Sequence, residues 1–145
     1  MIFRNPDVPP RKSGFFIDTQ METLYNLFQS GTGVETDTRK IQQGSLFFCL
    51  KGANFDGNTF AEEAIRLGAI AAVIDNPEYH IEGKTVLVAD VLTALQDLAR
   101  YHRQQFSIPF IGITGSNGKT TSKELISAVL ATQFKVHFTQ GNFNN

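Results

Sequence analysis

The stretch Thr114-Gly115-Ser116-Asn117-Gly118-Lys119-Thr120-Thr121 constrains the chain more than any other. An apolar run, Phe110-Ile111-Gly112-Ile113, leads into it, and Leu125, Ile126, Val129 and Leu130 follow at helical spacing. Strand, glycine loop and helix in that order are the pattern expected of a phosphate cradle. Gly115 and Gly118 permit a tight curl that turns several backbone N–H groups toward one point. A helix opening near Lys119 adds unpaired N–H groups and the positive end of its dipole. Lys119 brings a mobile charge for the β- and γ-phosphates, and the Thr120 hydroxyl is a candidate oxygen ligand for Mg2+. The commonest loop of this kind has a glycine five residues before the glycine of its Gly-Lys pair, a place held here by Ile113. Pattern alone leaves two readings open. The loop binds ATP or GTP, or it is a strand-to-helix turn whose glycines only relieve a steric conflict.

The rest of the chain alternates between strand and helix patterns. Thr19 and Glu22 have capping-box spacing, with Met21, Leu24, Leu27 and Phe28 on one helical face and Gly31 as a stop. Residues 45–50, 71–74 and 85–88 predict short buried strands. Between the first two lies a turn-rich stretch, Gly52-Ala53-Asn54-Phe55-Asp56-Gly57-Asn58, then Phe60, Ala64 and Leu67 at helical spacing. Asp90 is placed to cap a helix with Val91, Leu95, Leu98, His102 and Phe106 along one face. Residues 110–114 and 136–139 predict two more strands flanking the loop helix. This order implies an α/β architecture with largely parallel pairing. Prolines 6, 9 and 10 forbid a helix at the start, so residues 1–18 are read as a poorly ordered extension. A boundary is expected near Pro109, giving one domain over 19–106 and another over 107–145. Three elements cannot close a nucleotide-binding sheet, so the chain is expected to stop inside that second domain.

Charge excludes some partners. With a net charge of −1 and pI near 6.3, no bulk field draws the chain to nucleic acid or an anionic membrane, so anion binding must be local. The single cysteine, Cys49, cannot form a disulfide within the chain and sits in an apolar run as a small hydrophobe. No signal peptide or membrane span is evident, so a cytoplasmic location is expected. His80, His102 and His137 lack metal-ligand spacing.

The loop, with Asn117 before its Gly-Lys pair, resembles the ATP loop of the Mur ligases. Asp37-Thr38-Arg39, followed by Gly44-Ser45-Leu46-Phe47-Phe48 and Gly52-Ala53-Asn54-Phe55-Asp56-Gly57, is similar to that family's N-terminal substrate domain. The tail Thr139-Gln140-Gly141-Asn142-Phe143-Asn144-Asn145 resembles the family branch that adds D-alanyl-D-alanine. The resemblance runs from about Thr19 to Asn145. It implies a small α/β domain that binds a UDP-linked substrate, followed by the start of a P-loop ATPase domain with a parallel sheet.

The implied reaction is amide formation. ATP phosphorylates a carboxylate of UDP-N-acetylmuramoyl-tripeptide, and the amine of D-alanyl-D-alanine attacks the acyl phosphate. The resemblance assigns Lys119 and Thr120 catalytic roles, residues 115–121 to the nucleotide, and Thr120 to Mg2+. Thr36, Thr38, Arg39, Ala53, Asn54 and Phe55 would hold the UDP portion. A monomer is expected, and this segment alone is expected to be inactive as a ligase. Rival readings are the ligase that adds the third peptide residue, a folate-polyglutamate ligase, a non-catalytic UDP-sugar binder, and a P-loop hydrolase or kinase.

Overall fold

A computed structural model describes residues 15–140, with side chains from Thr19 onward. Among these residues the chain divides into two compact units, one ending at Ser107 and the other beginning at Ile108. The first contains α1 (Phe15–Ser30), β1 (Gly33–Glu35), β2 (Ser45–Phe48), β3 (Lys51–Gly52), β4 (Phe55–Asp56), α2 (Ala61–Arg66), β5 (Ala71–Ile74), β6 (Thr85–Leu87) and α3 (Val91–Gln104). Single 3-10 turns occupy Thr38–Lys40, Gly57–Phe60 and Pro77–Tyr79. The second unit contains α4 (Lys119–Leu130).

Strands β1, β2, β5 and β6 form one parallel sheet in that order, and β3 and β4 form a separate antiparallel hairpin. The two central strands are buried along their whole length, as parallel strands covered on both faces must be. Their alternation builds two cores. Leu46 and Phe48 of β2, with Ala71 and Val73 of β5, pack against Leu24 of α1 and Val91, Ala94 and Leu98 of α3. Phe47 and Cys49, with Ala72 and Ile74, pack against Ala61 and Ala64 of α2. The result is three layers, with α1 and α3 on one side of the sheet and α2 on the other. Cys49 is fully buried, and loss of solvation together with the nearby Asp56 and Asp75 pushes its thiol up to about 12, so it is no nucleophile.

Several expectations need correction. Helix α1 opens at Phe15, so Thr19 is not its cap; its carbonyl instead accepts the Thr23 hydroxyl inside the helix at 3.0 Å. Residues 15–18, assigned to a poorly ordered extension, are therefore helical; the rest of that assignment, residues 1–14, lies outside the described residues, as does the tail 141–145. Strand β1 has a single apolar residue, Val34, and was too short to read. Residues 110–114 and 136–139 are not strands. A strand is held by a neighbour's ladder, and among the described residues of this unit no strand ladder forms. Among the described residues of this unit no dry core forms around Ile111, Leu125, Val129 and Phe134, which are 62–69% exposed.

Candidate functional site

Segments leaving the carboxyl ends of β1 and β2 converge, where open α/β sheets commonly bind ligands. After β1 comes Thr36, then Asp37, which caps the 3-10 turn by accepting the Arg39 amide at 3.0 Å. The same carboxylate takes two further bonds from the Arg39 guanidinium, Nε to Oδ1 at 2.9 Å and Nη2 to Oδ2 at 2.7 Å. This fork fixes the planar cation at the rim. After β2, Leu50 leads into the hairpin of β3 and β4, and Gly57 returns the chain so closely that its N–H donates to the Leu50 carbonyl at 3.1 Å.

These segments enclose a cleft of about 380 Å³. Thr36, Asp37, Thr38 and Arg39 form its polar side, and Phe47, Leu50, Phe55 and Phe60 its apolar side, with Gly57 between. A flat apolar ring with an anionic group attached would match both sides. Of the six residues expected at a UDP site, Thr36, Thr38, Arg39 and Phe55 line the cleft. Ala53 and Asn54 do not; they are exposed at the hairpin turn. Phe47, Leu50, Gly57 and Phe60 were not foreseen as lining. Phe60, assigned to a helix face, instead precedes α2 as its N-cap residue and is 40% exposed.

The Arg39 hydrogen bonds and charge hold the Asp37 carboxyl far below its ordinary 3.8, at about 2. The pair's contribution to folding is therefore complete above pH 3.8 and lost as the pH falls through about 2. A carboxyl-carbon NMR titration should place the Asp37 midpoint near 2, and Arg39→Ala should return it to the ordinary carboxylate range. An unshifted midpoint in the unsubstituted protein would show that the fork does not persist in solution.

In the other unit the glycine loop precedes α4. Gly118 is the N-cap residue with φ +76°, and Gly115 has φ +149°, both on the side that favours glycine. A Cβ built on Gly118 would meet nothing within 4 Å, so space is open above the bend. The first helical bond runs from the Ser122 N–H to the Gly118 carbonyl at 2.8 Å. Ser116 and Asn117 are exposed in the bend, and Thr120 and Thr121 in the first turn. The Lys119 ammonium folds back over the loop and donates to the Gly115 carbonyl at 2.5 Å, with the Ser116 carbonyl at 3.5 Å. A cation, helix-terminal amides and open space suit a phosphate tail. For Mg2+ the fit is partial. Among the described residues no group of three His, Cys, Asp or Glu could hold a metal, so Thr120 would supply one oxygen and the phosphates and water the others.

No helix among the described residues is long and apolar enough to cross a membrane.

The model of the Mur ligase family, catalytic domain, matches residues 31–103, and that of the Mur ligase middle domain matches residues 113–145. The chain is 52% identical over 118 residues to the UDP-N-acetylmuramoyl-tripeptide–D-alanyl-D-alanine ligase of Bacillus subtilis, covering 78% of this chain and 25% of the relative. It is 44% identical over 98 residues to the UDP-N-acetylmuramoyl-L-alanyl-D-glutamate–2,6-diaminopimelate ligase of Geobacillus kaustophilus, covering 66% of this chain and 20% of the relative. Among solved structures, the MurF ligase of Thermotoga maritima in complex with ADP superposes with a TM-score of 0.69 at 32% identity, covering 82% of this chain and 27% of that one. The chain thus spans about a quarter of the length of the curated relatives it matches. Because the first family model alone matches about half of its residues, and does so across the sheet and cleft, the chain belongs to the Mur ligase family.

Proposed function

We propose that the chain forms the UDP-substrate-binding domain and the phosphate loop of an ATP-dependent ligase that joins D-alanyl-D-alanine to UDP-N-acetylmuramoyl-tripeptide. The observation that carries this reading is the cleft, in which four residues assigned to the UDP portion converge beside an apolar wall. Phe55 and Phe60 offer ring faces to uracil, and the Arg39 fork and Thr36 and Thr38 hydroxyls offer donors to the diphosphate. In the loop, Lys119 and the α4 amides counter the charge of the transferring phosphoryl group. Mg2+ at Thr120 would supply Lewis-acid stabilisation of the same phosphate oxygens. The complex of the Thermotoga relative with ADP supports nucleotide use. A cytoplasmic location and a monomeric state belong to the same reading.

Titration calorimetry tests it directly. Saturable binding of UDP-N-acetylmuramoyl-tripeptide and, separately, of ATP with Mg2+ is expected, and binding of neither would overturn the reading. A second reading, addition of the third residue to the UDP-linked dipeptide, draws on the Geobacillus relative. Tighter binding of the dipeptide than of the tripeptide would favour it.

A further inference from the structure

The hairpin that carries Phe55 has too little structure to place itself. Its strands are two residues each, and so short a ribbon is unstable alone in water. Its position must come from elsewhere, and one carboxylate reaches both strands. Asp75 follows β5 at the carboxyl edge of the sheet, and its side chain is 9% exposed. From β3, the Lys51 ammonium reaches Asp75 Oδ1 at 2.8 Å. On the β4 side the link runs through Asn58, which is fully buried. Its Nδ2 donates to Asp75 Oδ1 at 2.9 Å and to Asp56 Oδ1 at 2.6 Å, and its Oδ1 accepts the Asp75 amide at 3.0 Å. The other Asp75 oxygen accepts the Val91 amide at the start of α3 at 3.4 Å.

We propose that Asp75 is a positioning residue for the cleft, tying both strands of the hairpin to the sheet edge through Lys51 and Asn58 and so presenting Phe55 to the ligand. This rests on reading the cleft as the UDP site. Neither Asp75 nor Lys51 lines the cleft, so both act through the hairpin. Burial would push the Asp75 carboxyl up, but bonds from Lys51, Asn58 and the Val91 amide hold it below its ordinary value, so the tether is charged at neutral pH. Gly52 completes the placement. A Cβ there would meet the Phe55 ring at 2.2 Å, so the ring lies directly on the glycine.

Lys51→Met tests the tether, because Lys51 is half exposed and its loss leaves the cores intact. Two readouts are needed: amide hydrogen exchange of residues 52–56 without ligand, and calorimetric affinity for UDP. If the hairpin sits in place only a tenth of the time once the Lys51 arm of the tether is gone, with the Asn58 arm alone remaining, apparent affinity falls about tenfold. Exchange in 52–56 should rise while β2 and β5 stay as protected as before. Lys51→Arg should restore affinity to within about twofold, since it keeps the cation. Unchanged exchange and UDP affinity in Lys51→Met would overturn the proposal, as would exchange rising equally in β2 and β5. If the unsubstituted chain fails to bind UDP while Lys51→Met still loosens 52–56, the cleft reading is at fault and the tether is not.

Discussion

Gly57→Ala is expected to lower the melting temperature of the first unit by roughly 12–24 °C, the shift for about 3 kcal/mol in a unit of this size. Here the cause is sterics rather than a strained φ. A Cβ on Gly57 would lie 2.2 Å from the Leu50 carbonyl oxygen, 2.6 Å from the Cys49 carbonyl carbon and 2.8 Å from the Leu50 nitrogen. All three are backbone atoms, so no side chain can swing aside. The Leu50 peptide would have to move, and it is pinned by the end of β2 and by the Gly57 N–H itself. Overpacking a tight interior usually costs about 1–3 kcal/mol, and a clash with fixed backbone belongs at the upper end. Gly83→Ala is the control. It has φ +68° but nothing within 4 Å, so only conformational strain of about 1 kcal/mol applies. Thermal unfolding followed by circular dichroism compares the two. Equal shifts would mean that the close approach of Gly57 to Leu50 has no energetic weight. Because Leu50 and Gly57 both line the cleft, Gly57→Ala should also weaken UDP binding at temperatures where the variant stays folded.

That contact marks the limit of what was legible. The central strands were readable because residues 46–50 and 71–74 are continuous apolar runs, and runs signal burial on both faces. Helix α3 was readable from Asp90, whose carboxylate caps it by accepting the Thr93 amide at 2.7 Å. The glycine bend was readable because φ +76° at Gly118 is a local demand that leaves a glycine in the chain. What escaped depends on pairs distant along the chain. Lys51 and Asp75 are 24 positions apart, and nothing at either position names the other. Phe60 fell on a helical period, yet the first turn after Asp56 is 3-10, and the period does not extend back to it. The strands expected at 110–114 and 136–139 had the right composition, but a strand needs a ladder, and none forms among the described residues of that unit.

Lys119→Met should weaken ATP binding about tenfold to a hundredfold while leaving UDP affinity unchanged, if the phosphate-loop reading is correct. Three features of the bend favour an anion, and their sizes differ. The dipole of α4 contributes about 0.3–1 kcal/mol at an exposed terminus. Backbone amides add individually modest bonds. A hydrogen bond from a full charge contributes about 1.5–3 kcal/mol, equivalent to about tenfold to a hundredfold in affinity. Lys119 is therefore the dominant single group, and the net charge of −1 leaves no general field to compensate for its loss. Its resting bonds to the Gly115 and Ser116 carbonyls hold the ammonium at the loop's mouth, where an arriving phosphate replaces carbonyl acceptors with stronger anionic ones. Methionine keeps most of the stem and removes the charge, so α4 should stay intact by circular dichroism. Calorimetry with ATP and Mg2+ at fixed low salt decides the matter. ATP affinity within threefold of the unsubstituted chain would mean that the ammonium serves only to close the loop on itself, and Gly115 and Gly118 would then be no more than a turn.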